Sequence, residues 1–158
     1  MMKITKYSGS IVVLTVMVVL CLSQNVYADS VIMNPPPGSL IENRLDFPVT
    51  GSIDGYRTDR ALNLHYWITI ANVGTDKKPH LHWPKFYVKT DSFRGRVSDG
   101  GQNSFPEPED MMILLLRVDD TTNQRIVRWL RRGRDTGSYP GIPVRPSEIM
   151  VMVPIQFP

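Results

Sequence analysis

The clearest pattern along the chain is an alternation of apolar with mostly polar residues from Leu62 to Val73. Alternation of this kind is typical of a β-strand that has one face in the core. A turn-rich segment, residues 74–79, separates this run from a second one at residues 80–90. The two runs predict a β-hairpin. Its second strand should contain a bulge at Pro84, because the apolar positions change phase there and proline has no amide hydrogen to donate.

Three other segments also predict strands. Residues 111–118 are apolar on both parities, which is typical of a strand covered on both faces, although a buried helix can show the same pattern. Residues 149–157 alternate and predict a final strand. Near the N-terminus, the alternation over residues 45–49 predicts a short edge strand, because Pro48 cannot donate to a neighbour. An extended arm with three consecutive prolines, residues 35–37, precedes it.

The segment after Val118 fits two structures. A short helix near residues 122–132 would begin at Thr122 as its N-cap and stop at Gly133, and it would bury a stripe of Ile126, Val127 and Leu130. A strand that returns along residues 111–118 would form a hairpin instead. We favour the hairpin because the surrounding segments are β in pattern. It would place two pairs opposite each other, Leu116 with Val127 and Leu114 with Trp129.

Several short strands joined by glycine- and proline-rich connections predict a mainly β fold. The arrangement that fits them best is an antiparallel, immunoglobulin-like β-sandwich, with residues 29–158 forming a single domain. The sequence contains no internal repeat, and no motif identifies a family. Eight side chains are expected in the core, namely Leu64, Tyr66, Ile68, Ile70, Ile113, Leu115, Val151 and Val153.

The first 28 residues have the layout of a secretory signal peptide. Lys3 and Lys6 precede the apolar run from Ile11 to Leu22, and a small-residue cleavage site ends at Ala28. The run is shorter than the roughly 20 residues that a membrane-spanning helix needs. We therefore expect cleavage before Asp29, a periplasmic or secreted protein, and no stable insertion into the membrane.

Export constrains the chemistry of the mature chain. The single cysteine, Cys21, would be lost with the signal peptide, which excludes disulfides, thiolate metal sites and a cysteine nucleophile. Bulky residues before Cys21 disfavour lipidation. Two of the 18 basic residues and none of the 15 acidic residues lie in the first 28 positions, so the mature chain is close to neutral. The sequence pI of about 9.1 is therefore no argument for a nucleic-acid partner.

Arginines are concentrated between residues 125 and 145, while acidic residues gather on the preceding loop near Glu107 and Glu109. A planar guanidinium pairs well with carboxylate and phosphate groups. The arginines could also form a solvated face that the protein's own acids balance. The candidate binding residues are Arg128, Arg131, Arg132 and Arg134, with Trp129 as an aromatic neighbour.

His80 and His82 form the second candidate site. Residues two apart on a strand share a face and lie about 7 Å apart, near enough to hold a metal ion if a third ligand arrives. His65 is the only other histidine. The predicted hairpin places it more than about 20 Å from the pair, at about 3.3 Å per residue. The pair is a weak metal candidate, and we favour the alternative interpretation of a polar strand end beside a turn.

Catalytic motifs are missing from the sequence. It has no nucleophile elbow, no zinc-protease motif, no phosphate-binding loop and no dinucleotide fingerprint. We therefore expect a non-catalytic module without a cofactor. Its expected partner is a protein with an acidic surface, as for an envelope inhibitor or a toxin-immunity protein. The alternative is a domain that binds a glycan or a metal ion.

Overall fold

The computed structural model describes residues 30–43, 45–98 and 109–157, with the backbone alone at residues 109 and 110. The expected signal peptide, and the loop containing Glu107, lie outside the described residues. The described chain forms, in order, β1 (Val31–Asn34), β2 (Ser39–Leu40), β3 (Phe47–Ser52), α1 (Tyr56–Ala61), β4 (His65–Val73), β5 (Pro79–Val88), β6 (Ser92–Val97), β7 (Glu109–Val118), α2 (Asp120–Thr136), β8 (Ile142–Pro143), a 3-10 turn (Pro146–Glu148) and β9 (Ile149–Phe157).

The strands form two sheets. The small sheet has the order β1-β3-β6, and the large sheet has the order β2-β9-β7-β4-β5-β8. Neighbouring strands are antiparallel, except that β2 runs parallel to β9. The prediction of a mainly β fold is confirmed. An immunoglobulin-like arrangement is not confirmed by this topology.

The large sheet is covered on both faces. One face packs against the small sheet, and side chains such as Val49, Ile68 and Ile113 fill the space between the sheets. The opposite face carries a second apolar cluster, in which Ile126 of α2 packs with Trp67, Ala71, Leu114, Leu116 and Val118. The molecule therefore has three layers, in the order small sheet, large sheet and α2.

The hairpin of β4 and β5 is confirmed, and so is its bulge. Ile68 pairs with Phe86 and Thr69 pairs with Pro84, so Lys85 is the extra residue directly after the proline. The phase change returns the apolar side chains to the face between the sheets, where Val88 is buried and Trp83 and Phe86 pack against the core. Leu81 is the exception, because its side chain stays partly exposed.

The prediction that β4 begins at Leu62 is wrong. Leu62 caps α1 and is 67% exposed. Asn63 then takes a positive φ of 58°, which turns the chain from the helix into the strand. Leu64 is half-buried instead of a core residue, as is Val151, although Val151 packs against the core. The other six predicted core side chains are buried, namely Tyr66, Ile68, Ile70, Ile113, Leu115 and Val153.

The edge-strand prediction for residues 45–49 is also wrong, because β3 is the central strand of the small sheet. Proline is tolerated there for a local reason. The pairing with β1 covers only residues 50–52 of β3, so Pro48 has a partner strand on one side alone, opposite Arg96. Asn34 Nδ2 of β1 donates to the Pro48 carbonyl at 3.0 Å, so the nitrogen of Pro48 also faces the β1 side, where no strand pairs with it, and the missing amide hydrogen breaks no ladder.

The favoured hairpin after β7 is wrong, and the helix is present. Strand β7 already pairs with β4 and β9, so neither of its edges can accept a strand from residues 125–132. The helix is longer than the alternative proposed. Its N-cap is Asp119, whose Oδ1 accepts the amide hydrogen of Thr122 at 2.7 Å, and it ends at Gly137, whose φ of 69° is left-handed.

Candidate functional site

The four predicted arginines all project from α2 into solvent. Arg128, Arg131, Arg132 and Arg134 are exposed, and Arg125 on the same helix is exposed as well. The hairpin interpretation would have given Arg128 a different environment from the later arginines. On the helix it belongs to the same exposed surface. We call these five side chains the arginine face.

Two hydrogen bonds fix the helix that carries this face. Trp67 Nε1 donates to Asn123 Oδ1 at 3.0 Å, and Thr122 Oγ1 donates to Glu148 Oε1 at 3.1 Å. Ile126, which is 2% exposed, anchors the next turn in the cluster beneath. The first two turns of the helix are therefore fixed on the large sheet, and the arginines project from the opposite side.

The helix arranges the arginines in one stripe and one flank. Successive residues are rotated by about 100°, so Arg125, Arg128 and Arg132 lie within about 60° of one another around the axis. Arg131 and Arg134 lie further round, on the flank away from Trp129. The stripe rises about 1.5 Å per residue and is therefore about 10 Å long.

The five arginines of this face form no ion pair with the part of the chain that the structure describes, although Asp135 lies on the same helix. No carboxylate of that part lies within ion-pair distance of Arg125, Arg128, Arg131, Arg132 or Arg134. Arg145 differs, because its Nη1 lies 3.5 Å from Glu148 Oε1. Burial lowers the pKa of His82, and the charge of Arg125 lowers it further. The hydrogen bonds from Thr122 lower the pKa of Asp119, with smaller contributions from the charges of Arg145 and Arg125.

Trp129 lies alongside the stripe and has a positioning role. Its Nε1 donates to the Pro140 carbonyl at 2.8 Å, and its ring meets the Tyr139 ring edge-on at a centroid distance of 5.3 Å. Trp83 Nε1 donates to the preceding carbonyl, that of Tyr139, at 3.0 Å. Two indoles, one from α2 and one from β5, thus hold consecutive carbonyls of the segment that follows the helix. Trp129 is half-buried as a result.

The structure places the two candidate metal ligands in different surroundings. His80 is exposed, and its Nε2 lies 2.9 Å from Asp76 Oδ1. His82 is buried, and its Nδ1 lies 3.0 Å from Thr69 Oγ1. Within the described residues, no group of three or more His, Cys, Asp or Glu side chains could hold a metal ion.

A polar cluster at His65 was not found from the sequence. Arg60 Nη1 lies 2.8 Å from His65 Nδ1, and Tyr87 Oη lies 3.0 Å from the same nitrogen. A guanidinium can only donate, so Nδ1 is the acceptor and the ring proton sits on Nε2, which lies 3.3 Å from Asp120 Oδ1. Burial, and then the Arg60 charge, lower the pKa of His65. The lone pair of Nδ1 is therefore engaged, and the cluster links α1, β4, β5 and α2.

A second group of polar side chains, formed by Tyr66, Asp59 and Arg117, lies next to the His65 cluster. Tyr66 donates its hydroxyl hydrogen to Asp59 Oδ2, which also lies 3.3 Å from Arg117 Nη1. Burial and the Asp59 carboxylate raise the pKa of Tyr66. The sequence could have indicated part of this arrangement, because the hairpin register brings His65 towards Tyr87. The partners on α1 and α2 required helices that the pattern did not favour.

Comparisons with known proteins add no relative. No family model matches the chain, and no curated protein or solved structure matches it either. Among the described residues, no helix combines the length and the apolar character that crossing a membrane requires.

Proposed function

We propose that this protein is a small, exported, non-catalytic module that binds an acidic protein in the cell envelope through the arginine face of α2. One observation carries the proposal. Five exposed guanidinium groups stand on one fixed helix, and no carboxylate of the described residues pairs with them. An inhibitor or immunity protein of the envelope is the kind of protein that works through such a surface.

The expected mode of binding follows from the exposure of these charges. A positive surface attracts an acidic partner over a distance of about one Debye length, roughly 8 Å at physiological salt. Such a field accelerates association more than it slows dissociation. Raising the salt concentration should therefore weaken binding mainly through the association rate.

A charge-reversal variant tests the proposal. The full chain, immobilised in its wild-type form, captures proteins from the envelope fraction of the native cell, and the double variant Arg131→Glu/Arg132→Glu is used beside it. A second double variant, Arg57→Glu/Arg94→Glu, is the matched control, because both residues are exposed and lie outside α2. A true partner is retained by the wild type and the control and is lost from the α2 variant.

The kinetics of that captured protein decide the mechanism. We expect the association rate of the α2 variant to fall by about tenfold or more at low salt, with a much smaller change in dissociation. Circular dichroism must show that the variant keeps its fold. Equal association rates for wild type and variant at every salt concentration would contradict the proposal. Capture of a sulfated glycan in place of a protein would favour the alternative ligand class.

A further inference from the structure

The arginine stripe borders an exposed apolar surface. Tyr139 is 42% exposed and Leu81 is 36% exposed, although both are large apolar side chains. We call them the Tyr139/Leu81 patch. They belong to the same corner, because Trp83 bonds the Tyr139 carbonyl and packs with Leu81 around Gly141. A β-carbon on Gly141 would lie 3.0 Å from both Leu81 Cβ and Trp83 Cζ2.

The patch is held rigidly against α2. The Tyr139 ring lies directly on Gly133, so that a β-carbon there would come within 2.1 Å of Tyr139 Cε1. Trp129 supports the same ring from the preceding turn. Around the helix axis Trp129 lies about 40° from Arg125 and about 60° from Arg132. Tyr139 therefore lies beside the arginine stripe, whereas Leu81, on the face of β5 that carries Trp83, forms the far side of the patch around the edge of the sheet.

We infer that the partner presents an acidic segment with an apolar, preferably aromatic, side chain beside its carboxylates. This inference rests on the proposed function and specifies its partner. The carboxylates pair with Arg125, Arg128 and Arg132, while the apolar side chain packs on the Tyr139/Leu81 patch. An extended chain covers the stripe, about 10 Å long, with about three or four residues at roughly 3.3 Å each.

The apolar anchor is what separates this partner from a simple polyanion. Arginines on an exposed helix attract any negative polymer, and the attraction alone selects no sequence. Binding energy at protein interfaces concentrates in tyrosine, tryptophan and arginine side chains at rigid, well-packed positions. Tyr139 is such a side chain, because its ring is fixed on the Gly133 backbone and its exposed face needs no rearrangement on binding.

Two synthetic peptides test the inference with the full chain. Both are decamers of glutamate and serine with identical charge, and one carries a central tryptophan where the other has serine. We expect the tryptophan peptide to bind the wild type about tenfold more tightly, measured by calorimetry. Tyr139→Ser should reduce this ratio to below about threefold, and Leu81→Ser, on the far side of the patch, should reduce it less. Leu40→Ser is the control, since Leu40 is 58% exposed and lies on β2 at the opposite edge of the large sheet.

The possible outcomes separate this inference from the proposed function. Equal binding of the two peptides to the wild type would overturn the inference, while the capture and kinetic experiment would still decide the proposed function. An undiminished tryptophan preference in Tyr139→Ser would overturn it too, as would a sulfated oligosaccharide that binds more tightly than either peptide. Failure of both peptides to bind would likewise count against it. Thermal unfolding of each variant shows whether the corner remains folded.

Discussion

At the scale of single residues, His82 shows how position decides chemistry. The side chain is 3% exposed and lies in the layer between the large sheet and α2. Thr69 Oγ1 donates to the carbonyl of Ile70, so it accepts from His82 Nδ1, and the ring is neutral with its proton on that nitrogen. Burial, and then the nearby charge of Arg125, lower the pKa of His82 to about 4.

This gives the protein a defined sensitivity to acid. The unfolded chain binds the histidine proton near the ordinary pKa of 6.5, whereas the folded chain resists it down to a pKa of about 4. Stability should therefore fall as the pH drops from about 6.5 towards 4, by about 2–3 kcal/mol from this group, at about 1.4 kcal/mol per pH unit. Urea unfolding of the wild type and of His82→Gln at pH 7.5 and 4.5 measures the effect.

The matched control for that measurement is His80→Gln, which changes an exposed histidine two residues away. We expect the loss of stability on acidification to be about 2 kcal/mol smaller in His82→Gln than in the wild type, and unchanged in His80→Gln. The same pH dependence in all three proteins would show that His82 does not carry the acid sensitivity.

At the scale of elements, the contact between α2 and the segment after it depends on a glycine. Gly133 lies inside the helix, where alanine is usually more favourable by about 1 kcal/mol. A β-carbon there would collide with the Tyr139 ring at 2.1 Å. We expect Gly133→Ala to lose about 1–3 kcal/mol of unfolding free energy instead of gaining stability.

A double-mutant cycle identifies the cause of that loss. Removing the ring with Tyr139→Ala makes room for the new methyl group, so Gly133→Ala should become neutral or stabilising in the Tyr139→Ala background. Chemical denaturation of the four proteins gives the coupling energy. A penalty of the same size in both backgrounds would mean that the Tyr139 ring is not what requires glycine.

The success of sequence-based prediction differed between elements for a physical reason. The β4 and β5 runs were predictable because alternate side chains enter a core on one face, and Pro84 marked the bulge. Strand β7 was predictable from its apolar residues on both parities, which is how a strand between two layers must be composed. Helix α2 was only the second choice, because the β pattern of the neighbouring segments outweighed its own signal. That signal was present, since the inward residues Ile126, Trp129 and Leu130 follow the i, i+3, i+4 spacing of a helix.

The candidate site was predictable in composition and not in arrangement. The concentration of arginines was visible in the sequence, but only a helix turns Arg125, Arg128 and Arg132 into one stripe. The polar cluster at His65 joins four elements, so it depended on two helices that the pattern did not favour. The corner of Trp129 and Tyr139 depends on a hydrogen bond to a backbone carbonyl, which leaves no periodic signal.

At the scale of the whole molecule, the large sheet links the two apolar layers. Ile68 faces the small sheet and Leu114 faces α2, and both side chains are fully buried on neighbouring strands. If the small sheet or α2 opened, it would expose one buried face of the large sheet, and the other layer packs on the opposite face of the same strands. The described part of the chain should therefore unfold in one cooperative transition.

Alanine substitutions on the two faces test this. Ile68→Ala and Leu114→Ala should each cost about 2–5 kcal/mol of unfolding free energy, because each removes a buried side chain and leaves a cavity. Leu62→Ala should cost less than about 0.5 kcal/mol, since that side chain is mostly exposed. The transitions followed by circular dichroism and by calorimetry should coincide for all variants. A separate early transition in Leu114→Ala would show that α2 detaches independently.

The indole that bonds the Pro140 carbonyl also provides a natural spectroscopic label. The chain has three tryptophans, and Trp67 is buried beneath α2 whereas Trp83 and Trp129 lie at the corner beside the arginine stripe. Their emission reports on different places, the first on the interior and the other two on the rim. In a variant that keeps Trp67 as its single tryptophan, the fluorescence would therefore report unfolding of the interior. The emission of Trp129 would report the binding of a partner at the helix surface, without any attached dye.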